Sequence, residues 1–185
     1  MQKTVLALIL LCACWSNTQA QVAPAVDSIA PKPMLENIRA YLAINDQLST
    51  SGQITYDEIA VLKDAGFEVV INLAPADEER NGSEGFLVTQ QGMTYIQIPV
   101  SWKNPAPRDL KLFFDVMEAN KDRKVYVHCF ANMRVSAFVY LYRTLQLGEP
   151  EAAARADMEK IWDPNAQDQW VRFIEQAREA PASGS

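Results

Sequence analysis

Val125-Tyr126-Val127-His128-Cys129-Phe130-Ala131-Asn132-Met133-Arg134-Val135-Ser136-Ala137 is the stretch that decides how the chain folds. Lys124 to His128 is a short β-branched and aromatic run, the pattern of a buried strand. Cys129 ends it, a short loop follows, and an almost wholly apolar helix is expected from Ser136 to Gln146, stopping near Gly148. A strand that passes through a tight loop into a helix gathers backbone N–H groups and the positive end of the helix dipole around one point. That arrangement suits an anion. The same field favours a thiolate, and a nearby Arg can fork two hydrogen bonds onto a phosphate. Thiolate, amide cradle and guanidinium together outline phosphoryl transfer through a phosphocysteine intermediate.

Working outward, Glu68 to Leu73 is a continuous apolar run that reads as a central strand, and Thr94 to Ile98 reads as another. Gln47 to Gly52 is expected as a short edge strand and turn, and Met34 to Leu42 as a short helix. Thr55 and Glu58 make a capping box for a helix reaching Ala65 before Gly66. Further helices are expected over Glu84 to Gln91, Asp109 to Asn120, Glu151 to Ile161 and Gln167 to Glu179. Strands alternating with helices predict an α/β fold, a mainly parallel central sheet flanked by helices, occupying residues 34–180. A tail, 181–185, follows.

With its His-Cys pair, its Arg and its Ser136 between strand and helix, the chain resembles the cysteine-dependent protein tyrosine and dual-specificity phosphatases. Leu48-Ser49-Thr50-Ser51-Gly52-Gln53, the Phe67 to Leu73 strand and Ile96-Gln97-Ile98-Pro99-Val100 look like a bacterial dual-specificity-like branch. Such proteins carry His-Cys, five residues, Arg, then Ser or Thr, whereas only Phe130 to Met133 separate Cys129 from Arg134 here. Either the loop has lost a residue, or it keeps its length with Arg134 moved and Val135 in the usual Arg position. In a helix a one-position shift turns a side chain by about 100°. Asn132 stands at the usual central Gly, and Asn tolerates the left-handed backbone that Gly supplies.

The resemblance implies Cys129 as nucleophile, Arg134 as phosphate clamp and a general acid in the loop after Pro99. Asp109 is the first candidate for that acid and Asp115 the next; Ser101 occupies a place where a carboxylate would be expected. Asp109 also sits where a helix's first turn favours an acid for dipole reasons alone. Phe130, Ala131, Asn132, Met133, Val135 and Ser136 would line the substrate, Ser136 either bonding the thiolate or capping the helix. His128, the only histidine, would lie behind the loop and support it. Adjacent residues on a strand point to opposite faces, so His128 and Cys129 do not make a Cys-His hydrolase pair. Trp102 and Phe130 either line the pocket mouth or pack in the core. The implied mechanism needs neither metal nor cofactor.

Bulk composition narrows the partners. The formal net charge is -6 with no long basic run, which argues against nucleic acid or an anionic membrane as the main partner. Lys3 followed by an apolar run, Val5 to Ala13, and small residues up to Ala20 have the layout of a secretory signal peptide over 1–20, with an Ala/Pro-rich linker over 21–33. The run is shorter than the roughly 20 residues that span a bilayer, so no stable membrane insertion of the mature chain is expected. Lipoprotein processing at Cys14 matches the sequence less well than soluble export, to the periplasm or beyond the cell. Removal of Cys12 and Cys14 would leave Cys129 as the only thiol. The expected activity is therefore an exported phosphatase acting on a phosphorylated small molecule or phosphoprotein. The alternative is an inactive relative that binds a phosphorylated ligand or protein. A sulfur-transfer enzyme, which would also place a Cys in such a loop, ranks last. Composition sets no oligomeric state.

Overall fold

A computed structural model of the protein describes residues 34–180. The expected signal segment, linker and tail, with Cys12 and Cys14, lie outside the described residues. Among the described residues no helix is long and apolar enough to cross a membrane.

Five strands form one sheet in the order β1-β2-β5-β3-β4. They are β1 Leu42–Asn45, β2 Leu48–Ser51, β3 Val69–Asn72, β4 Thr94–Gln97 and β5 Val125–His128. The β2–β5, β5–β3 and β3–β4 pairings are parallel, and only the β1–β2 hairpin is antiparallel. Six helices, α1 Glu58–Asp64, α2 Glu84–Gln90, α3 Pro107–Ala119, α4 Met133–Leu145, α5 Glu151–Glu159 and α6 Asp168–Glu179, complete the α/β fold.

Alternation along the strands divides the core into two layers. Val69, Ile71, Val125 and Val127 pack with Phe113 of α3, Phe138 of α4 and Trp170 of α6. Val70 and Tyr126, on the opposite face, pack with Ile59, Leu62 and Phe67 around α1 and with Val88 of α2. Each such large apolar side chain contributes about 1.5–3 kcal/mol on burial.

Two sequence expectations change near the sheet edge. The segment expected as a helix from Met34 to Leu42 holds a single 3-10 turn, Leu35–Asn37, and then the edge strand β1. Consequently β2, expected at the edge, is internal, and all four of its residues are buried. Its hydroxyls disguise it. Each is satisfied locally: Ser49 Oγ with the Tyr41 hydroxyl at 3.2 Å, Thr50 Oγ1 donating to the Leu42 carbonyl at 3.4 Å, and Ser51 Oγ to the Gly52 carbonyl at 2.7 Å. A helix also opens earlier than expected, at Met133 instead of Ser136, because Asn132 takes the left-handed conformation (φ 62°) that ends the loop.

Register aligns the carboxyl ends of three strands: Ser51 and Asn72 both lie opposite His128. Cys129 therefore leaves the sheet from its middle.

Candidate active site

The loop from Cys129 to Asn132 is held mainly by the end of β2 and the residues that follow. Cys129 N–H donates to the Ser51 carbonyl at 3.3 Å, and Gln53 N–H to the Phe130 carbonyl at 3.3 Å, while Ala131 bridges Gly52. Asn132 Nδ2 donates to the Ala40 carbonyl at 2.8 Å and to Thr50 Oγ1 at 3.0 Å, so its side chain holds the residue whose backbone makes the turn. The amide N–H groups of Phe130 to Arg134 meet no acceptor among the described residues. They crown the amino end of α4, where the helix dipole is positive.

Arg134, the second residue of α4, is 9% exposed. Its guanidinium lies 5.7 Å from the Phe130 ring centre and 5.5 Å from that of Trp102, within cation–π range. Its Nε is buried with no partner, and it makes no ion pair among the described residues. The guanidinium thus stays beside the residue that follows Cys129, which agrees with a shortened loop. Val135 is fully buried in the core cluster, away from the role in lining substrate that the sequence suggested. Ser136 is likewise engaged elsewhere: its hydroxyl donates to the Met133 carbonyl at 3.0 Å and accepts from Trp162 Nε1 at 3.0 Å. Of its two sequence roles, the structure shows the local helix bond.

Behind the loop lies a polar network. His128 Nε2 bonds Glu84 Oε1 at 2.8 Å, with both side chains fully buried. Glu84 also accepts from Gln53 Nε2 at 2.6 Å and Asn72 Nδ2 at 3.0 Å. Asn72 Nδ2 reaches the Tyr95 hydroxyl at 3.0 Å, and burial together with the Glu84 carboxylate pushes that phenol's pKa up. Gly85 lets α2 approach β4 this closely, since a Cβ there would meet the Tyr95 ring at 2.8 Å. Three donors on one carboxylate compensate its removal from water. His128 therefore supports the strand end behind Cys129, which is itself fully buried.

The remaining carboxylates are dispersed. Asp109 stands in the first turn of α3, with its carboxylate 3.3 Å from Arg108 Nε. Asp115 pairs with Lys111 at 2.6 Å on the exposed face of the same helix. Ser101 Oγ accepts from the Asn104 N–H at 3.2 Å. Trp102 packs between Trp162 and Trp170, with ring centres 5.5 and 5.2 Å away, and its carbonyl accepts from Trp170 Nε1 at 3.1 Å. Core packing and the site share this residue. Among the described residues no cluster of three His, Cys, Asp or Glu could hold a metal.

A protein family described as a dual-specificity-type protein tyrosine phosphatase fused to NAD+ kinase matches residues 40–173. The chain belongs to the protein tyrosine and dual-specificity phosphatase superfamily. A DUF442 protein of Shewanella putrefaciens, given a provisional phosphatase assignment, is 38% identical, with 77% of this chain and 91% of that one covered at a TM-score of 0.69. Two solved structures share the fold alone. TpbA of Pseudomonas aeruginosa is 16% identical over 74% of this chain and 83% of its own, at a TM-score of 0.60. The catalytic core of the Saccharomyces cerevisiae phosphatase SIW14 is 14% identical over 76% and 87%, at 0.62. No curated protein matches the chain.

In this phosphatase-family chain, sequence reading missed Glu84, Asn72 and Gln53 behind the loop. Asn72 carried a signal, as a polar residue within an apolar strand. Glu84 carried none, because an acid at the start of a helix is ordinary.

Proposed function

We propose that the chain is an exported phosphatase that hydrolyses phosphomonoesters of a small molecule or protein at the loop from Cys129 to Arg134. The observation that carries this reading is the buried Arg134 guanidinium, without an ion-pair partner, beside unpaired loop amides at the amino end of α4. A phosphate seated there supplies the acceptors those donors lack. Cys129 sulfur attacks phosphorus, forming the S–P bond as the P–O bond to the leaving group breaks. Water then cleaves the S–P bond, releasing phosphate and regenerating the thiol group. The loop amides and Arg134 hold the equatorial oxygens, where charge develops. His128 and Glu84 keep the strand end in place. Support for the phosphatase chemistry comes from family membership, and support for export from the amino-terminal sequence pattern.

The test is p-nitrophenyl phosphate hydrolysis by the full chain under reductant, beside Cys129→Ser. Turnover that disappears in the variant is expected. No turnover by the wild type, with the thiol titrated as reduced, sinks the reading. A second reading, a non-hydrolysing module that binds a phosphorylated ligand, is favoured by the complete burial of Cys129. It expects phosphate binding with no turnover in either form.

A further inference from the structure

The segment between β4 and α3 lies against the phosphate clamp, with the Trp102 ring 5.5 Å from the Arg134 guanidinium. It is fastened there. Val100 N–H donates to the Leu73 carbonyl at 3.2 Å, and the Trp102 ring and carbonyl are gripped by Trp162 and Trp170. Residues 98–106 are Ile-Pro-Val-Ser-Trp-Lys-Asn-Pro-Ala, so this segment brings a hydroxyl, an amide and an ammonium to the clamp and no carboxylic acid. Ser101, Lys103 and Asn104 are its exposed polar residues.

Other carboxylates near the loop are poorly suited to donate a proton. Arg80 lies 3.8 Å from the Phe130 ring centre, and its guanidinium is bound to Asp77 through Nε at 2.9 Å and Nη2 at 2.6 Å. These bonds hold the Asp77 carboxyl below the usual carboxylate range, in its ionised form. Glu78 and Glu79 on the same loop are solvent-exposed. Asp109 has Arg108 beside its carboxylate.

We propose that the site selects phosphate esters and anhydrides whose leaving group departs as a stable anion, that is acyl, aryl and anhydride phosphates of acidic leaving groups, and discriminates against alkyl phosphates. This rests on the phosphatase reading above. As the S–P bond forms and the P–O bond breaks, the bonding pair leaves on the departing oxygen, and an acidic leaving group needs no proton in that step. Water then attacks phosphorus, both of its hydrogens going with the phosphate as the thiolate is restored. Lys103 adds positive charge on the segment beside the clamp. A positioned general acid contributes about 10²–10⁴ in rate, and an alkoxide leaving without one forfeits that help.

The experiment measures kcat/KM of the full chain, under reductant, for acetyl phosphate, p-nitrophenyl phosphate, phenyl phosphate and glycerol phosphate. The first two are expected to turn over. Phenyl phosphate, whose leaving group resembles a tyrosine phenol with a pKa of about 10, should be slower than p-nitrophenyl phosphate by about 10²–10⁴-fold. Glycerol phosphate should not react. Phenyl phosphate within about tenfold of p-nitrophenyl phosphate would overturn the proposal, since a working acid would be closing the gap. So would an Asp109→Asn variant that loses phenyl phosphate turnover while keeping that of acetyl phosphate. If no substrate reacts, acetyl phosphate included, both this proposal and the phosphatase reading fall; p-nitrophenyl phosphate turnover with shallow discrimination sinks this proposal alone.

Discussion

Helix α4 carries a buried arginine at each end, and the two are treated in opposite ways. Arg143, 7% exposed, sends Nε to Glu149 at 2.8 Å and Nη1 to Asp157 at 2.6 Å. Burial works against its charge, and the bonds to Asp157 and Glu149 outweigh that cost, so its pKa is raised. Arg134, 9% exposed, faces the rings of Trp102 and Phe130, makes no ion pair among the described residues, and leaves Nε unpaired. A buried guanidinium is costly unless paired. The carboxyl end of the helix meets that cost within the protein, as scaffold does. The amino end, beside the loop amides and Cys129, leaves it to be met by an anion from outside.

The widest contrast should come from the arginines themselves. Arg134→Ala should lower kcat/KM for p-nitrophenyl phosphate by about 10²–10³-fold, the usual effect of losing one donor to the developing charge. Its unfolding free energy, read by urea denaturation, should change by about 0.5 kcal/mol or less, as for a side chain with no internal partner. Arg143→Ala should reverse that pattern. It should lose about 2–3 kcal/mol of stability, below the figure for a fully buried pair because Glu149 and Asp157 still reach water, while kcat/KM per folded molecule holds. An Arg134→Ala protein as destabilised as Arg143→Ala would erase the distinction.

Asn132→Gly sharpens the account of the amino end. Glycine accepts the left-handed backbone freely, yet it loses the bonds to Ala40 and Thr50. A net loss of about 1 kcal/mol is expected by chemical denaturation; a stabilised variant would mean that backbone strain outweighs those bonds.

The smallest effect concerns acid. Burial raises the Asp157 pKa, but bonds from Lys160 and Arg143 hold it below the usual carboxylate range. A depressed folded-state pKa gives stability that is complete above the unfolded pKa of about 3.9 and fades as pH falls through the folded value. Thermal melts between neutral pH and pH ~3 should therefore show a smaller acid loss in Asp157→Asn than in the wild type.

The parallel sheet was legible because β3 and β5 are apolar throughout and each is followed by turn signals and a helix. The amino-terminal edge was not. Ser49, Thr50 and Ser51 read as a solvated strand, and only tertiary bonds to Tyr41 and Leu42 and the closing Gly52 turn let that strand be buried. At the site, Cys129 and Arg134 announced themselves by sitting between strand and helix. Val135 and Ser136 were assigned to the loop because sequence does not reveal where a left-handed residue starts a helix. Glu84 stayed hidden because its partners Gln53, Asn72 and His128 come from separate segments that meet only in the fold.

The most direct test of the unpaired-arginine account is calorimetric titration of inorganic phosphate into the full chain, Arg134→Ala and Arg143→Ala. Binding by the wild type and Arg143→Ala, lost in Arg134→Ala, is the predicted result. Equal binding by Arg134→Ala and the wild type would contradict it.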